Sequence, residues 1–430
     1  MRRSATTLYQ RKIARNLEAA RADTPVVLLS GPRQVGKSTL AERAAQTAPD
    51  RPIKFGPQES SATVTRYFSL DDASTLAAVQ ADTQGFLESL RSDDWTVIDE
   101  VQREPRLLTA VKREVDADRR PGRFLLTGST NVMTIPHVSE SLAGRIELLR
   151  MWPLAQSEIE GTNPSFLSWA FSGARPAWTS VESRNAIIER ALTGGYPEVV
   201  ARESKARRNA WFGSYLDAVI HREIKSISNI EDEAGIVKIL RAMASRSGGP
   251  RNYQTLSSDA AIPSRTVARY VALLVSTFLV SELPAWAISI DARIIRSPKV
   301  LINDSGLYGH LLNISTLDNQ VGLLLEDFVG AELLRLISFE EANEFTLMHF
   351  RTREQQEVDF VIEGTDRHIV GVETKAARTV TSDDFRGLRA LAEIAGARFH
   401  RGVVIHCGDQ SLPFGKNMWA IPMSALWQER

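Results

Sequence analysis

A lysine and a hydroxyl group end a glycine-rich stretch whose spacing suits phosphate binding. Residues 31–39 read Gly-Pro-Arg-Gln-Val-Gly-Lys-Ser-Thr, which fits the pattern G-x-x-x-x-G-K-[ST]. Backbone N–H groups and a helix N-terminus face the anion in such a loop, and glycine allows close backbone approach. We expect Lys37 to reach the β- and γ-phosphates of ATP and Ser38 to offer its hydroxyl to Mg²⁺. The predicted nucleotide-binding residues are Gly31, Pro32, Arg33, Gln34, Val35, Gly36, Lys37, Ser38 and Thr39.

Two adjacent carboxylates end the apolar run of residues 95–98. In phosphate-loop proteins a strand of this kind supplies the acidic partner of the loop, so we expect Asp99 to belong to the Mg²⁺ shell. Glu100 is predicted to polarise the attacking water as a general base, an added carboxylate that is typical of ATP-hydrolysing members of this class. The predicted chemistry is magnesium-dependent hydrolysis of ATP.

Two further polar positions follow in the same half of the chain. The apolar run 123–128 ends in Ser129, which is the first choice for a sensor of the γ-phosphate, with Asn131 second. An N-cap role explains Ser129 equally well. Arg145 follows a glycine and precedes another apolar run, so it is a candidate arginine finger in cis or, in a homo-oligomer, in trans. A surface ion pair is the alternative for Arg145.

A third set of candidate residues lies near the C-terminus. Asp359 and Glu373 stand on neighbouring strand-like runs, and Glu326 belongs to a preceding amphipathic helix. Together they present hard oxygen ligands for Mg²⁺ or Mn²⁺. Lys375 shares a strand face with Glu373, where it can orient water or stabilise a phosphorane. The pattern predicts a metal-dependent phosphodiesterase site, with a structural ion-pair cluster as the alternative.

The elements that must position these residues form three blocks. Strands that end in the N-terminal motifs, alternating with helices, predict a parallel α/β sheet. Residues 235–286 predict three helices followed by a strand, the winged-helix plan. Its third helix presents Arg265, Thr266 and Arg269 outward, to DNA or to a protein partner. Residues 321–410 predict a helix–β-β-β–helix–β order that matches the core of PD-(D/E)xK phosphodiesterases.

Length and composition limit the protein classes that fit. The 430 residues suggest roughly three domains, which we place at 1–155, 156–300 and 301–430. Lys and Arg number 52, as do Asp and Glu, which excludes a wholly electrostatic nucleic-acid coat protein. The single Cys407 excludes a disulfide framework and a cysteine-based zinc site. The absence of a long apolar run or secretory start predicts a soluble, cytoplasmic protein without a membrane partner.

Taken together, the motifs resemble those of a prokaryotic AAA-type ATPase family with a C-terminal domain of unknown function, considered similar to PD-(D/E)xK nucleases. The resemblance covers roughly residues 15–410 and implies ATP binding and hydrolysis by Lys37, Ser38, Asp99 and Glu100, and Arg145 as a possible finger. The segments that carry it are 31–39, Val-Ile-Asp-Glu-Val-Gln (97–102), Leu-Leu-Thr-Gly-Ser (125–129), Ser-Leu-Ala-Gly-Arg (141–145), Glu-Asp-Phe-Val (326–329), Glu-Val-Asp-Phe (357–360) and Val-Glu-Thr-Lys (372–375).

The sequence thus predicts an AAA-type P-loop domain, a helical and winged-helix region, and a C-terminal α/β domain of the PD-(D/E)xK type. The predicted function is ATP hydrolysis coupled to a DNA-binding, metal-dependent nuclease-like domain. A nucleotide-gated scaffold or regulator with an inactive nuclease fold, which binds protein or DNA without cleavage, is the main alternative. A transcription-associated regulator that uses only the winged helix is the third possibility.

Overall fold

In the computed structural model the chain divides into two compact units. One holds residues 11–152, and the other holds the remaining described residues from 8–10 and 153–429. The division lies close to the predicted boundary at residue 155. The predicted boundary at residue 300 falls inside the strand Lys299–Ile302, within the second unit. The structure describes residues 8–46, 65–90, 95–130, 144–225, 232–249, 251–289, 293, 297–317, 319–340, 344–352 and 354–429.

A five-stranded parallel sheet forms the centre of the N-terminal unit. Its order is β2-β3-β4-β1-β5, so β4 lies between the strands that carry the phosphate loop and the acidic pair. Ser30 pairs with Gly128, and parallel strands end at a common edge, so the loops after β1, β3 and β4 leave the sheet together. The strands are β1 Val26–Ser30, β2 Thr65–Ser69, β3 Trp95–Asp99, β4 Phe124–Gly128 and β5 Ile146–Arg150.

Helices surround this sheet and bury their apolar sides. The helix Arg106–Ala117 shows the expected spacing, because Leu107, Leu108, Val111 and Val115 are all buried in the core with Leu28. The helices of this unit are Ala14–Asp23, Lys37–Gln46, Ala73–Ala81, Thr83–Glu88 and Arg106–Ala117, with a short 3₁₀ turn at Val101–Arg103.

The first part of the second unit is helical. Three helices, Glu233–Ser245, Tyr253–Ala260 and Ser264–Ser276, pack on one another and precede the antiparallel pair β6 Val280–Leu283 and β7 Lys299–Ile302, in the order that the sequence predicts. The other helices here are Gln156–Glu160, Phe166–Ala170, Arg184–Thr193, Pro197–Val200, Lys205–Ala218 with a π-helical extension Val219–Ile224, and Ser305–Leu311.

A six-stranded mixed sheet forms the last part of the chain. Its order is β12-β13-β11-β10-β9-β8, with β8, β9 and β10 antiparallel and β10, β11 and β13 parallel. The helices Val321–Phe339 and Arg386–Ala395 pack on this sheet, in the predicted order. The strands are β8 Phe345–Arg351, β9 Glu357–Gly364, β10 Ile369–Lys375, β11 Phe399–His406, β12 Leu412–Pro413 and β13 Met418–Pro422, with 3₁₀ turns at Ser382–Phe385, Gly396–Arg398 and Met423–Leu426.

None of the helices in the described part of the chain has both the length and the apolar character that crossing a membrane requires.

Candidate nucleotide pocket and carboxylate cluster

The phosphate loop holds its lysine folded back onto the loop itself. Lys37 Nζ donates to the carbonyl oxygens of Gly31 at 2.9 Å and Pro32 at 2.8 Å, and the side chain is only 4% exposed. These acceptors are neutral, whereas a phosphate oxygen carries charge and forms a stronger hydrogen bond with an ammonium group. Phosphate oxygens can therefore replace the two carbonyl oxygens as acceptors of the Lys37 hydrogen bonds.

The backbone of the loop is fixed by close packing. Gly36 has a φ of +95°, and a Cβ added to Gly31 would lie 2.0 Å from the carbonyl oxygen of Met151, so the two glycines cannot be replaced without movement. Arg11 donates to the carbonyl oxygens of Val35 at 2.6 Å and Trp152 at 2.7 Å. Arg11 thus ties the loop to the end of the unit, a role that the sequence analysis did not identify.

Asp99 accepts hydrogen bonds from three neighbouring elements. Ser38 Oγ lies 3.2 Å from one carboxylate oxygen, Tyr67 donates its hydroxyl to the other at 2.9 Å, and the Thr127 hydroxyl also donates to Asp99. Burial and the charge of Asp99 raise the pKa of Tyr67, so it remains a donor. The Ser38 and Asp99 oxygens are hard donors close together, which fits Mg²⁺. The two residues predicted to bind this metal are thus brought together.

Glu100 adopts a left-handed backbone conformation, with a φ of +62°. This conformation is uncommon for a residue with a side chain and is held here because the Glu100 N–H donates to Thr127 Oγ1 at 3.1 Å. The carboxylate accepts a hydrogen bond from Gln102, whose Nε2 also donates to Ser129 Oγ at 2.8 Å. Burial raises the pKa of Glu100, and Lys37 acts against this rise. Gln102 therefore connects the predicted base to the predicted sensor.

Three residues of this pocket, Tyr67, Thr127 and Gln102, have no role predicted from the sequence. Tyr67 and Thr127 lie near the carboxyl ends of strands that flank β3, and Gln102 follows the acidic pair. A search for polar residues at every strand end on this edge of the sheet would have identified Tyr67 and Thr127. Asn131, the second choice for the sensor, lies outside the described residues.

Arg145 does not lie at the phosphate edge of its own sheet. It directly precedes β5, and because Ile146 pairs with Val26 at the start of β1, Arg145 is at the opposite edge from the loop. Its Nε donates to Asp116 Oδ1 at 2.6 Å. The direction of β5 therefore contradicts the prediction that Arg145 acts as a finger in cis. A role in trans stays a prediction.

In the C-terminal sheet, β9 and β10 bring Asp359 and Glu373 to neighbouring positions. Val372 pairs with Phe360, and the Thr374 N–H donates to Asp359 Oδ2 at 2.8 Å. Glu326 is on the helix Val321–Phe339, and its carboxylate also lies near the Asp359 charge. Burial, followed by the charge of Asp359, raises the pKa of both Glu326 and Glu373. The three carboxylates therefore form one electrostatic cluster, here called the carboxylate cluster.

A lysine that the sequence analysis did not identify occupies this cluster. Lys299 Nζ lies 2.6 Å from Glu326 Oε1, donates to the Asp359 carbonyl oxygen at 3.0 Å and lies 4.0 Å from Asp359 Oδ1. Its side chain is 4% exposed. Burial lowers the pKa of Lys299, but Glu326 and Asp359 outweigh that effect and the pKa lies above its ordinary value. An internal ammonium group thus neutralises the carboxylates.

Lys375, which is predicted to orient water or stabilise a phosphorane beside Glu373, forms an ion pair outside the carboxylate cluster. Its Nζ lies 3.7 Å from Asp384 Oδ1, and 38% of its side chain is exposed. Its charge also lowers the pKa of Glu373 and Glu326, against the larger effect of burial. Glu373 is only 9% exposed, with a carboxylate oxygen 3.1 Å from where a Cβ on Gly387 would lie. The catalytic role of Lys375 stays a prediction.

A small cavity lies beside one member of the carboxylate cluster. The cavity lined by Lys299 and Asp359 has a volume of about 10 Å³, enough for about one water molecule. Among the described residues, which include Glu326, Asp359 and Glu373, no group of three or more Asp, Glu, His or Cys side chains is arranged to hold a metal ion. Lys299 supplies positive charge to the cluster.

Models of protein families match three successive parts of the chain. Residues 23–160 match an AAA domain, residues 184–318 match a domain of unknown function, DUF8612, and residues 321–426 match another, DUF4143. With the parallel sheet and its phosphate loop, the first match supports an AAA-type P-loop fold for the N-terminal unit. The C-terminal match confirms a separate family region there without assigning it a nuclease fold.

Two curated mycobacterial proteins are similar over nearly the whole chain. They are the uncharacterized proteins Rv2008c of Mycobacterium tuberculosis and Mb2031c of Mycobacterium bovis. Each is 28% identical over 429 residues, which cover 98% of this chain and 86% of the relative. The similarity therefore extends through both units.

Three solved structures show partial similarity to the chain. AMPPCP-bound DnaA from Aquifex aeolicus is 13% identical with a TM-score of 0.30, and a DNA replication initiation factor is 12% identical with a TM-score of 0.29; each comparison covers 60% of this chain and 84% of the other. The Thermococcus gammatolerans McrB AAA+ hexamers with bound McrC give 11% identity, a TM-score of 0.20, and coverage of 84% and 94%. Scores this low add nothing to the fold assignment.

Proposed function

We propose that the N-terminal unit binds and hydrolyses ATP. The observation that carries this proposal is the contact between Ser38 Oγ and Asp99 at 3.2 Å, with Glu100 next in the chain and Lys37 on the adjoining loop. A hydroxyl, two carboxylates and a lysine at the edge of a parallel sheet are the groups that phosphoryl transfer to water requires. The AAA domain match over residues 23–160 supports the same chemistry.

The side chains of the pocket divide the work of hydrolysis. Lys37 leaves the Gly31 and Pro32 carbonyl oxygens and binds the β- and γ-phosphate oxygens. Ser38 and Asp99 would hold Mg²⁺, which would neutralise phosphate charge. Glu100 accepts a proton from the attacking water, and its raised pKa makes it a better base than a solvated carboxylate. Ser129, joined to Glu100 through Gln102, contacts the γ-phosphate.

Glu100→Gln tests this assignment most simply. The amide keeps the size of the side chain but cannot accept the proton, so ATP binding should persist while turnover falls by about 10²- to 10⁴-fold. Phosphate release and binding of a fluorescent nucleotide measure the two quantities separately. Phosphate release at the wild-type rate would show that Glu100 is not the base.

We also propose that Arg145 acts in trans, in a homo-oligomer. Support comes from its place at the sheet edge away from its own phosphate loop, where its side chain, although paired with Asp116, is 25% exposed. The ATPase rate per chain should then rise with protein concentration, and Arg145→Ala should abolish the rise. A rate per chain that is independent of concentration would contradict a finger in trans.

For the second unit we propose a DNA-binding role without strand cleavage. The contact of Lys299 with Glu326 at 2.6 Å, together with a cavity beside Asp359 that has room for about one water, favours this alternative over the metal-dependent nuclease. Arg265 and Arg269 are exposed on the third helix of the three-helix segment, where they suit phosphate contacts.

Incubation of plasmid and linear DNA with the protein, with and without ATP, Mg²⁺ and Mn²⁺, tests this role. We expect retarded but intact DNA with wild type and with Asp359→Ala. Metal-dependent nicking that disappears in Asp359→Ala and in Lys375→Ala would instead establish the nuclease, with Glu326, Asp359 and Glu373 as its metal ligands.

A further inference from the structure

A cavity in the described part of the second unit has a wall rich in arginine. Its volume is about 430 Å³, and it lies beside the helices Glu233–Ser245 and Tyr253–Ala260 and the strands β7 and β8. Its described lining contains no acidic residue. The polar lining residues are Ser245, Arg246, Arg251, Asn252, Thr255 and Arg351.

Carboxylates outside the lining hold these arginines in place. Arg246 donates to both oxygens of Asp259, from Nε at 2.5 Å and from a terminal nitrogen at 3.0 Å. Arg251 forms an ion pair with Glu282 and lies over the Tyr253 ring at 4.3 Å. A guanidinium group has five N–H donors, more than one carboxylate accepts, so such pairs orient an arginine while it binds a second anion.

The arginine-lined cavity adjoins the carboxylate cluster. Arg351 lines both this cavity and the small cavity beside Lys299 and Asp359. Its Nε lies 3.0 Å from Glu357 Oε1, at the start of β9. Val300, which follows Lys299 in β7, is also part of the wall. A chain of phosphates that entered at Arg246 would therefore pass Arg351 on the way to the cluster.

We infer that this cavity binds phosphate groups of single-stranded nucleic acid. Arginine forks match phosphate geometry, and the absence of acids from the described lining avoids repulsion of an anion. The volume is in the range of small-ligand pockets and admits about one nucleotide unit, so a duplex does not fit inside. The inference rests on the proposed nucleic-acid role of this unit and names the surface that performs it.

Binding of a labelled single-stranded oligonucleotide of roughly twelve nucleotides to the full chain tests the inference. Fluorescence anisotropy is measured in EDTA, without ATP, over a series of salt concentrations. Arg246→Gln combined with Arg351→Gln should weaken binding at least ~tenfold at ~0.1 M salt and reduce the slope of log affinity against log salt by roughly 1.4, the value for two lost phosphate contacts.

Matched variants separate the cavity from general surface charge. Arg202→Gln combined with Arg378→Gln removes two other ion-paired arginines of the same unit and should leave the affinity within about twofold of wild type. Arg265→Gln with Arg269→Gln tests the third helix. Circular dichroism of each variant confirms that it is folded.

Three results of these binding experiments would overturn the inference. Absence of oligonucleotide binding by wild type would overturn this inference, whereas absence of retardation of plasmid and linear DNA would overturn the proposed DNA-binding role. Wild-type affinity and salt slope in the cavity variant, with loss only in the third-helix variant, would overturn the inference and keep the DNA-binding role. Displacement of the oligonucleotide by equal concentrations of inorganic phosphate would reassign the cavity to free phosphate and overturn nucleic acid as its ligand.

Discussion

Two buried lysines, one in each unit, differ in their hydrogen-bond acceptors. Lys37 and Lys299 are each 4% exposed, but Lys37 donates to carbonyl oxygens of its own loop, whereas Lys299 contacts Glu326 and the Asp359 backbone within the carboxylate cluster. Burial alone does not distinguish them. The charge of the acceptors distinguishes the two lysines, because it determines whether the ammonium group can exchange its hydrogen-bond partners.

The energetic difference follows from this charge. A hydrogen bond from an ammonium group to a neutral carbonyl contributes about 1.5–3 kcal/mol, and a phosphate oxygen, which is itself charged, binds the same donor more strongly and can replace the carbonyl. Removal of one partner from a buried ion pair costs about 3–5 kcal/mol, because the other charge stays buried without compensation. We therefore regard the Lys37 site as open to its ligand and the Lys299 site as closed by its own residue.

Lys299→Ala should have the largest effect on stability. It leaves Glu326 and Asp359 without the ammonium group, and we expect the free energy of unfolding of the second unit to fall by about 3–5 kcal/mol. Urea titration monitored by circular dichroism measures the change. A loss below about 1 kcal/mol would mean that the cluster does not depend on Lys299 and would remove the contrast with Lys37.

Lys37→Ala should affect ligand binding and leave stability nearly unchanged. Loss of a charge-assisted contact of about 1.5–3 kcal/mol predicts a decrease in ATP affinity of roughly 10- to 100-fold. Titration with a fluorescent nucleotide measures the affinity, and Lys12→Ala, a lysine outside the loop, is the control. Equal affinity for wild type and Lys37→Ala would refute the nucleotide pocket.

Gln102→Ala should have a smaller effect, on turnover rather than on binding. Gln102 bonds Glu100 and Ser129, so its loss leaves the base less well positioned, and we expect kcat to fall about tenfold with KM little changed. Steady-state phosphate release gives both parameters. Gln84→Ala, on a helix of the same unit, is the matched control. A kcat equal to wild type would show that Gln102 does not position Glu100.

Lys375→Ala should have the smallest effect. Its ion pair with Asp384 at 3.7 Å is partly exposed, and pairs of this type contribute about 0.2–1 kcal/mol. The urea titration used for Lys299→Ala measures this change as well. A destabilisation as large as that of Lys299→Ala would place Lys375, and not only Lys299, at the centre of the cluster.

The sequence was most informative where polar residues with a recognisable chemical role directly follow a predicted strand. Ser38, Asp99 and Glu100 follow apolar runs, and parallel strands carry such residues to one edge, so their meeting was predictable. The elements of the C-terminal sheet followed from alternation and turns in the same way. Asp359 and Glu373 could therefore be assigned to neighbouring strands.

Partners that depend on distant parts of the chain were not predictable. Lys299 lies 60 residues from Asp359 in a run with no motif, so nothing local indicates that its ammonium group enters the carboxylate cluster. The edge on which Arg145 lies depends on the direction of β5, and the bond from Tyr67 to Asp99 depends on strand order. A single sequence contains neither register nor strand order explicitly.

The most direct test of the contrast between the two lysines is Mn²⁺ binding by the full wild-type chain, measured by electron paramagnetic resonance with and without a non-hydrolysable ATP analogue. We predict a single bound Mn²⁺ per chain that requires the analogue and disappears in Asp99→Ala. A tightly bound Mn²⁺ that needs no nucleotide and is lost in Asp359→Ala would show that Lys299 does not close the carboxylate cluster, and would contradict this account.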